Sequence, residues 1–437
     1  MRYLNRKEFQ ALLLCDGSMD FESENISDEM KHILCQYKGE GIVEQCQYED
    51  RLDADQYYHY YDNRFVRSVV WSVTGRCNYR CRHCYMEAPT GRLGELSQES
   101  AINMIDQMAE CGVLCVDITG GEPFVREDIW SLIDRIQYHR ITIGQVYTNG
   151  SLLNDIVLDE FEKRNLKPEF SISFDGVGWH DWMRGINGAE GSALRAIELC
   201  MVRGFPVSVE MCVHRGNQDT LPETVNLLSS MGVSRLRVGT VAQTELWKCN
   251  SDGNTLEVRE YMEVMLRYIP EFFRSGMPMD ITLASVVRLH KKSKSFKVVP
   301  KRYSGTDVCE NHYLCNAARY ACYITPEGRL LPCMPMTALK EQSLFPLVQK
   351  IGLKKGLSDS FYMNIVDSRV KDLLSVNSQC SACEYKYQCG GGCRAAALEE
   401  TGNLMGHDKI QCILWKEGYV DRIRETAEAA IAKYCND

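Results

Sequence analysis

The sequence lacks the features that would place the chain in or across a membrane. Its first eight residues, Met1 to Glu8, contain no apolar core of a secretory signal. No apolar run approaches the length of about 20 residues that spans a bilayer. We therefore expect a cytoplasmic protein without a membrane partner, in a compartment that keeps thiols reduced.

An excess of positive charge is also absent. The chain has 50 Lys and Arg against 59 Asp and Glu, a formal net charge of −9, which gives no support for nucleic-acid binding. One basic run, Lys291-Lys292-Ser293-Lys294, is expected to be a solvated linker. Nothing in the composition indicates disorder, and the length of 437 residues allows two or three domains.

Cysteine, by contrast, is abundant. The 21 cysteines are an odd number, which in a reducing compartment favours metal ligation over a set of disulfides. The closest set is Cys77, Cys81 and Cys84, spaced Cys-x3-Cys-x2-Cys. Three thiolates can hold three irons of a [4Fe–4S] cube and leave the fourth open to a small molecule. A zinc knuckle with one remote ligand, or three unrelated buried thiols, are the alternatives.

This cysteine run, directly after a strand expected at residues 68–73, resembles that of the radical S-adenosylmethionine (radical SAM) enzymes. The resemblance implies that the open iron binds the amino and carboxylate groups of SAM. One electron then cleaves SAM to a 5′-deoxyadenosyl radical, which abstracts hydrogen from a substrate. The family usually has an aromatic residue before the third cysteine, where this chain has His83.

Strand-like and helix-like segments alternate between about residues 67 and 246. Such alternation predicts a parallel sheet covered by helices. Six strands are fewer than the eight of a closed barrel, so we expect an α/β fold with a partial (β/α)6 TIM-like barrel, as the resemblance also implies. Its chemistry would lie at the carboxyl ends of the strands. The strands are expected at 68–73, 114–118, 142–147, 170–174, 206–213 and 235–241.

Polar motifs follow the second, third and fourth of these strands. The first, Gly-Gly-Glu-Pro, resembles the family motif that binds the amino group of SAM, and its glycines allow close backbone approach. At the end of the third strand Asn149 forms a turn signal and could also face the cofactor. By resemblance, Ser173 contacts the SAM ribose or carboxylate, Asp175 supports it, and Arg184 neutralises the SAM carboxylate. Plain turn chemistry is the alternative for these four residues. The candidate cofactor-binding residues are Gly120, Gly121, Glu122, Pro123, Asn149, Ser173, Asp175 and Arg184.

Charged residues inside parallel strands are unusual, because both faces of such strands are covered. Glu210, Arg235 and Arg237 lie within the fifth and sixth expected strands. They could face the barrel interior and touch SAM or the substrate, form a buried ion pair, or lie near a strand end in water. We take Glu210 and Arg237 as candidate catalytic residues, with Glu210 or another acid as the base.

A second group of cysteines occupies the C-terminal part of the chain. Its eight thiols suffice for two cubes, and their order resembles the SPASM extension of radical SAM peptide-modifying enzymes. By that resemblance one auxiliary cluster is held by Cys309, Cys315, Cys333 and Cys393. The other is held by Cys380, Cys383, Cys389 and Cys412. Cys322 is a rival of Cys309, and structural zinc in one site is the alternative.

We expect four parts in the chain. Residues 1–66 would form a helical, winged-helix-like module that either binds the leader of a precursor peptide or caps the barrel. Residues 67–246 would form the radical SAM partial barrel, 247–308 a helical bridge and linker, and 309–437 the SPASM domain with two auxiliary clusters.

Three clusters would favour an oxidative reaction. A substrate radical must lose one more electron before a new bond gives a closed-shell product, and a nearby cluster can accept that electron. The resemblance implies a peptide (RiPP) maturase that installs a thioether, C–C or C–O cross-link, with flavodoxin or ferredoxin as electron donor.

Other functions stay open at this point. Met334 follows Cys333 where sulfatase-maturing relatives have an aspartate base, which disfavours formylglycine formation. A sulfatase maturase, a peptide epimerase or a small-molecule oxidase of the same group are enzyme alternatives. A non-catalytic iron–sulfur or zinc protein for sensing or electron transfer is the alternative from another class.

Overall fold

The computed structural model describes residues 4–23, 25–47, 61, 63, 65–299 and 309–435. It divides into two compact units, residues 1–62 and 63–437. Parts of the expected N-terminal module, residues 48–60, and of the expected linker, residues 300–308, lie outside the described residues. All candidate site residues belong to the second unit, and the boundaries expected inside that unit stay a prediction.

Two helices form the described part of the first unit. Helix α1, Arg6–Leu13, is preceded by its N-cap residue Asn5, which forms a capping box with Glu8. Helix α2, Asp28–Gly39, begins at Ser27, whose hydroxyl accepts a backbone hydrogen bond. Both helices were expected from the sequence, and the described residues of this unit contain no strand.

The second unit is built on one sheet, in which eleven strands are described. In chain order the strands are β1 (Ser68–Ser72), β2 (Cys115–Thr119), β3 (Thr142–Thr148), β4 (Glu169–Ser173), β5 (Val207–Val213), β6 (Arg235–Thr240), β7 (Asp280–Leu283), β8 (Val287–His290), β9 (Ser295–Val298), β10 (Ala321–Ile324) and β11 (Leu330–Leu331).

The sheet order is β11-β10-β1-β2-β3-β4-β5-β6-β7-β8-β9. Neighbouring strands from β10 through β1 to β7 are parallel. Strand β11 at one edge and strands β8 and β9 at the other are antiparallel to their neighbours. Among the described residues the sheet is therefore open, which confirms the expected α/β fold with a partial barrel.

Helices follow the strands of the barrel. They are α3 (Gln98–Glu110), α4 (Ile129–Tyr138), α5 (Asp155–Lys163), α6 (His180–Arg184), α7 (Ala189–Val202), α8 (Leu221–Ser230), α9 (Glu245–Asn250) and α10 (Val258–Arg274). The later part of the chain forms short helices and one long one. These are α11 (Asn316–Tyr320), α12 (Val348–Ile351), α13 (Leu353–Gly356), α14 (Ser360–Val366), α15 (Val370–Val376), α16 (Ser378–Ser381), α17 (Lys386–Cys389), α18 (Arg394–Thr401), α19 (Lys409–Lys416) and α20 (Tyr419–Tyr434).

The barrel strands have one apolar and one polar face, because side chains alternate along a strand. In β5, Val209 and Met211 are buried in the core while Glu210 between them is partly exposed. In β6, Leu236 is buried and Arg237 is exposed. The apolar face packs in the hydrophobic core. The opposite face of the strands lies toward the barrel interior, and we call it the polar face. It carries Asp117, Tyr147, Ser173, Glu210, Cys212 and Arg237.

The expected bridge and linker also contribute strands. Helix α10 forms as expected, and β7, β8 and β9 follow it. Lys291 and Lys294 lie in the turn between β8 and β9, so the basic run is a hairpin turn and not a linker. The strand signal was present, because buried Val287 and Leu289 alternate with exposed residues.

The C-terminal helix is fixed against the bridge helix. Arg422 on α20 pairs with Glu263 on α10 at 2.9 Å, and Arg259 on α10 pairs with Glu417 at 2.5 Å. Buried residues of both regions belong to one hydrophobic cluster. In the part of the chain that the structure describes, no helix combines the length and the apolar character needed to cross a membrane.

Candidate active site and metal centres

Three thiols lie on the loop that follows β1. Cys77, Cys81 and Cys84 are each partly buried. Cys77 accepts an N–H···S hydrogen bond from Tyr79 at 3.4 Å, and Cys84 accepts one from Ala88 at 3.3 Å. Burial raises the pKa of Cys77 to about 12, and repulsion from the other two thiols adds to the rise. Thiols this close ionise together only when a cation compensates their charge, as a metal does.

Arg82 fixes this loop at the carboxyl end of the sheet. Its guanidinium donates to the carbonyl oxygens of Trp182 at 3.1 Å and Asn250 at 3.0 Å, and it pairs with Asp252 at 2.9 Å. The guanidinium also lies over the Trp182 ring, 4.6 Å from its centroid. The loop is therefore held from α6 and α9.

Gly120 and Gly121 bring the loop after β2 directly against the cysteine loop. A Cβ at Gly121 would lie 2.1 Å from the carbonyl oxygen of Arg76, and one at Gly120 would lie 2.8 Å from that of Thr74. The backbone N–H groups of Gly121 and Glu122 donate to Thr74 and Arg76, each at 2.9 Å. Only glycine permits this approach, so both glycines position the start of the cysteine loop.

Glu122 is fully buried between the ends of β2 and β3. Its carboxylate accepts hydrogen bonds from the Thr148 hydroxyl at 2.9 Å, the Asn149 N–H at 2.8 Å and the Phe124 N–H at 3.3 Å. Burial raises its pKa to about 7, although these donors oppose the rise. Pro123 follows at the start of a single 3-10 turn. The role of this motif toward SAM stays a prediction.

Asn149 connects the end of β3 to the cysteine loop. Its amide nitrogen donates to the Asn78 side-chain oxygen at 2.9 Å and lies 3.9 Å from the Cys77 sulfur. Its amide oxygen accepts from the N–H and the hydroxyl of Ser151, at 2.9 and 2.5 Å. One side chain thus makes the turn and contacts a candidate iron ligand.

Asp175 and Arg184 form a buried ion pair beside the cysteine loop. Arg184 Nε lies 2.7 Å from Asp175 Oδ2, and another guanidinium nitrogen lies 3.8 Å from the Cys81 sulfur. Burial alone would raise the pKa of Asp175, but Arg184 and His180 hold it well below its usual range. Asp175 Oδ1 also accepts the Cys212 N–H at 3.0 Å. The aspartate therefore orients Arg184 toward the thiol loop.

Ser173, Glu210 and Arg237 lie side by side on β4, β5 and β6. Glu210 Oε2 lies 3.8 Å from Arg237 Nε, and their side chains are 34% and 52% exposed. Burial raises the pKa of Glu210, while attraction to Arg237 and Arg235 opposes the rise. Arg235 pairs with Glu169. The pair between Glu210 and Arg237 is thus loose and open to a ligand at the polar face.

Four C-terminal thiols line one cavity. Its lining includes Asp408 and Trp415 beside the sulfurs. Burial raises the pKa of Cys389 to about 12, and repulsion from other lining thiols contributes to the rise. Four thiolates around one space are the donor set of an iron–sulfur cube. The four are Cys380, Cys383, Cys389 and Cys412.

Three glycines turn the chain between this cavity and Cys393. Gly390, Gly391 and Gly392 have φ angles of 59°, 89° and 74°, in the region that residues with a side chain rarely adopt. The turn carries the chain from Cys389 to Cys393 in a short distance. Cys393 can therefore serve a different site from its neighbour in sequence.

Cys393 is close to two other thiols. Burial raises the pKa of Cys333, and repulsion from Cys393 and Cys315 raises it further. These three residues belong to the set that the resemblance assigns to the first auxiliary cluster. They are separated in sequence by up to 78 positions, Cys315 to Cys393, and the fold brings them together.

The fourth ligand of that set stays open between Cys309 and Cys322. Cys309 is fully buried, and its thiol donates to the carbonyl oxygen of Tyr387 at 3.1 Å. Cys322 is buried on β10, next to Cys111. The Tyr362 hydroxyl interacts electrostatically with Cys322, and also with Cys315 and Cys333 of the first auxiliary set. The assignment of Cys309 stays a prediction.

A comparison with models of protein families identifies the domain that contains the first thiol loop. Residues 71–228 match the model of the Radical SAM superfamily, and this range contains Cys77, Glu122 and Arg184. Residues 71–228 therefore form a radical SAM domain. The cofactors that this domain implies are SAM and a [4Fe–4S] cluster.

Curated relatives extend the likeness beyond the radical SAM domain. The chain is 24% identical over 359 residues to the AdoMet-dependent heme synthase of Methanosarcina barkeri, which covers 79% of this chain and 96% of the relative. It is 27% identical over 369 residues to the PqqA peptide cyclase of Gluconobacter oxydans, covering 83% and 94%.

A solved structure shares the fold of this chain over most of its length. SuiB of Streptococcus suis, bound to its precursor peptide SuiA, matches with a TM-score of 0.62 at 14% identity. The match covers 94% of this chain and 93% of SuiB.

The radical SAM site fits the cofactors of the superfamily. Cys77 and Cys84 receive backbone N–H···S hydrogen bonds, and a guanidinium nitrogen of Arg184 lies 3.8 Å from the Cys81 sulfur. In the part of the chain that the structure describes, His83 Nδ1 is buried and has no hydrogen-bond partner. One ligand atom each of His83, Asp175 and Cys212 lies within 4.8 Å of the others. An unpaired buried nitrogen is costly, and a bound ligand such as SAM would satisfy it.

Sequence reasoning missed two residues of the radical SAM site and one of the C-terminal thiol region. Thr148 holds Glu122, Arg82 anchors the cysteine loop, and Arg394 lies buried beside Cys393. A signal existed for each, because each directly adjoins a candidate site residue in sequence. Adjacency alone, however, does not say which way a side chain points.

Proposed function

We propose that this chain is a radical SAM enzyme that oxidatively modifies a ribosomally made peptide. The observation that carries the proposal is the cavity lined by four thiols, which lies outside the radical SAM domain. Such a site supplies an electron acceptor beyond the one needed to cleave SAM. The likeness to a peptide cyclase and to a peptide-bound enzyme supports a peptide as substrate.

The proposed enzyme has three [4Fe–4S] clusters, or about twelve irons per chain. Cys77, Cys81 and Cys84 hold the radical cluster. The ligands proposed for the first auxiliary cluster are Cys309, Cys315, Cys333 and Cys393, and those for the second are Cys380, Cys383, Cys389 and Cys412. Iron held in this way requires a reducing compartment, and we propose the cytoplasm.

When bound, SAM and the radical cluster supply a 5′-deoxyadenosyl radical that removes one hydrogen atom from the substrate. Arg184, fixed by Asp175, is placed to pair with the SAM carboxylate. Forming the new bond then releases one electron and one proton from the substrate. Clusters held by the two C-terminal thiol sets would supply an acceptor for that electron, and the substrate would lose two hydrogens in total.

Glu210 is proposed to take the proton. Its carboxylate lies on the polar face, and burial raises its pKa. Arg237 at 3.8 Å favours the ionised form of that carboxylate. A base with a raised pKa, close to a cation that is not tightly bound, can accept a proton and keep it.

Two further parts of the proposal concern partners. Residues 1–66 are proposed to bind the leader of the precursor peptide, because the first 62 residues form a compact unit separate from the catalytic one. A flavodoxin or ferredoxin is proposed as the donor of the electron that cleaves SAM.

A small-molecule substrate is the second candidate. The heme synthase relative is as fully covered as the peptide cyclase, at 96% of its length. The polar face carries both acidic and basic side chains, which also suits a substrate bearing carboxylates. The two candidates differ in which molecule loses hydrogen.

The test is co-expression with each short peptide encoded beside the gene, followed by mass spectrometry. We expect one peptide to lose two hydrogens, and tandem spectra to show whether a thioether, C–C or C–O cross-link was made. Glu210→Gln should retain SAM cleavage, but its yield of modified peptide should fall at least tenfold, because only the proton acceptor is removed. Unchanged peptides, together with conversion of a porphyrin, would overturn the peptide proposal.

A further inference from the structure

Arg394 is a buried cation between the two proposed auxiliary sites. It begins α18 directly after Cys393 and is 2% exposed. One terminal nitrogen donates to the carbonyl oxygens of Leu404 at 2.8 Å and Gly406 at 3.0 Å, and the other donates to Gly391. Within the described residues its Nε is buried and has no hydrogen-bond partner. A guanidinium so deeply buried needs compensating negative charge.

Asp408 is the buried anion of the same region. It is 3% exposed, and its carboxylate accepts the Cys393 N–H at 2.7 Å and the Gln411 N–H at 3.1 Å. A Cβ at Gly392 would lie 2.6 Å from the carboxylate, so the glycine makes room for it. The aspartate also lines the four-thiol cavity. It is therefore fixed at the boundary between the two sites.

The charge of Arg394 acts on thiols of both sites. The Arg394 guanidinium interacts electrostatically with Cys393, Cys380 and Cys389, and with Asp408. Arg394 also donates to the carbonyl oxygen of Gly391, a residue that lines the four-thiol cavity. Cys393 belongs to the first proposed auxiliary set, whereas Cys380 and Cys389 belong to the second. A buried guanidinium is screened less than a charge on the surface.

We propose that Arg394 and Asp408, two buried side chains of opposite charge, set the reduction potentials of the two auxiliary clusters. This inference rests on the ligand assignment of the proposed function. Reduction adds one negative charge to a cluster, so a buried cation nearby favours the reduced state and a buried anion disfavours it. Charge and hydrogen bonding around the sulfurs are known means of tuning such clusters.

The test is a redox titration of the full-length, iron-loaded protein, followed by electron paramagnetic resonance. Signals that do not change on SAM addition report the auxiliary clusters. Arg394→Gln should shift both to more negative potentials, by at least a tenfold change in the reduced-to-oxidised ratio, which is about 59 mV for one electron. Arg394→Lys should restore most of the shift, and Asp408→Asn should move both potentials in the opposite direction.

Lys409→Gln is the matched control. It removes a positive charge one residue from Asp408, but the Lys409 side chain is 61% exposed, so the potentials should stay unchanged. Shifts of the same sign in Arg394→Gln and Asp408→Asn would show a general disturbance and overturn the proposal. So would unchanged potentials at full iron content, or loss of iron from all three variants at these two residues. Wild-type protein with far fewer than about twelve irons would instead defeat the ligand assignment.

Discussion

At the scale of single residues, the ion pair of Asp175 and Arg184 is the feature that most constrains the radical SAM site. Asp175 is fully buried, and Arg184 both pairs with it at 2.7 Å and reaches toward Cys81. The resemblance indicated a role for Arg184 toward SAM. It could not show that the arginine depends on an aspartate nine positions earlier, because that contact requires the turn between β4 and α6.

Replacing Arg184 by Met should lower the free energy of unfolding by about 3–5 kcal/mol, because it leaves the charge of Asp175 buried and unpaired. Urea unfolding followed by circular dichroism measures this loss. Arg267→Met is the matched control, since Arg267 is 61% exposed and lies 3.8 Å from Asp219. It should cost about 1 kcal/mol or less. Equal losses in the two variants would contradict a structural role of the buried pair.

Glu122 gives a pH-dependent prediction. Its pKa in the folded protein is about 7, above its ordinary value of 4.5. As the pH rises from 4.5 to 7, the unfolded chain has released this proton while the folded chain still holds it, so stability falls. The protonated Glu122 carboxyl thus contributes about 3 kcal/mol to the free energy of unfolding. This contribution is present below pH 4.5 and is lost by pH 7.

Glu122→Gln should abolish that contribution. We expect the unfolding free energy of the variant, relative to wild type, to increase by most of this amount between pH 5 and pH 8 in cluster-free protein. Urea titrations at several pH values make the measurement. A difference that stays constant with pH would show that the Glu122 carboxyl has an ordinary pKa.

At the scale of elements, the loops after β1 and β2 form one assembly. The sequence placed Gly120 and Gly121 next to SAM by resemblance, and the structure packs them against the backbone of Thr74 and Arg76. The glycines thus have a structural reason that spacing alone did not reveal. Contacts between two loops depend on how neighbouring strands align, which a single sequence does not specify.

Gly121→Ala should displace the cysteine loop, because the new Cβ would overlap the Arg76 carbonyl. We expect at least a tenfold loss of SAM cleavage, measured as 5′-deoxyadenosine after anaerobic reduction, with a lower iron content. Gly39→Ala is the control, since a Cβ there meets no atom within 4 Å. Wild-type rates in Gly121→Ala would contradict the packing argument.

The first six strands of the sheet could be predicted well from the sequence, and the strands added to them, β7 to β11, could not. Strands β1 to β6 follow the expected positions within one or two residues, because apolar and polar residues alternate clearly there. Strand β7, which is only four residues long, escaped notice. Strand β10 pairs with β1 from more than 240 residues away, and such a pairing leaves no local signal.

At the scale of the whole molecule, the chain joins a radical SAM domain to a second region rich in thiols. The resemblance to the SPASM extension assigned Cys380, Cys383, Cys389 and Cys412 to one set, and the fold brings the four around one cavity. The other set spans distant segments, so its fourth member could not be chosen between Cys309 and Cys322. Charge placement by Arg394 and Asp408 lay beyond sequence reasoning, since it depends on burial.

The central claim is that Cys77, Cys81 and Cys84 hold a cluster whose open iron binds SAM. The most direct measurement is the electron paramagnetic resonance spectrum of the reduced, iron-loaded protein before and after SAM is added. We expect one cluster signal to change on SAM addition, and to be missing from the variant in which all three cysteines are replaced by alanine, which should form no 5′-deoxyadenosine. A wild-type spectrum unaffected by SAM, or SAM cleavage that persists in the variant, would contradict the claim.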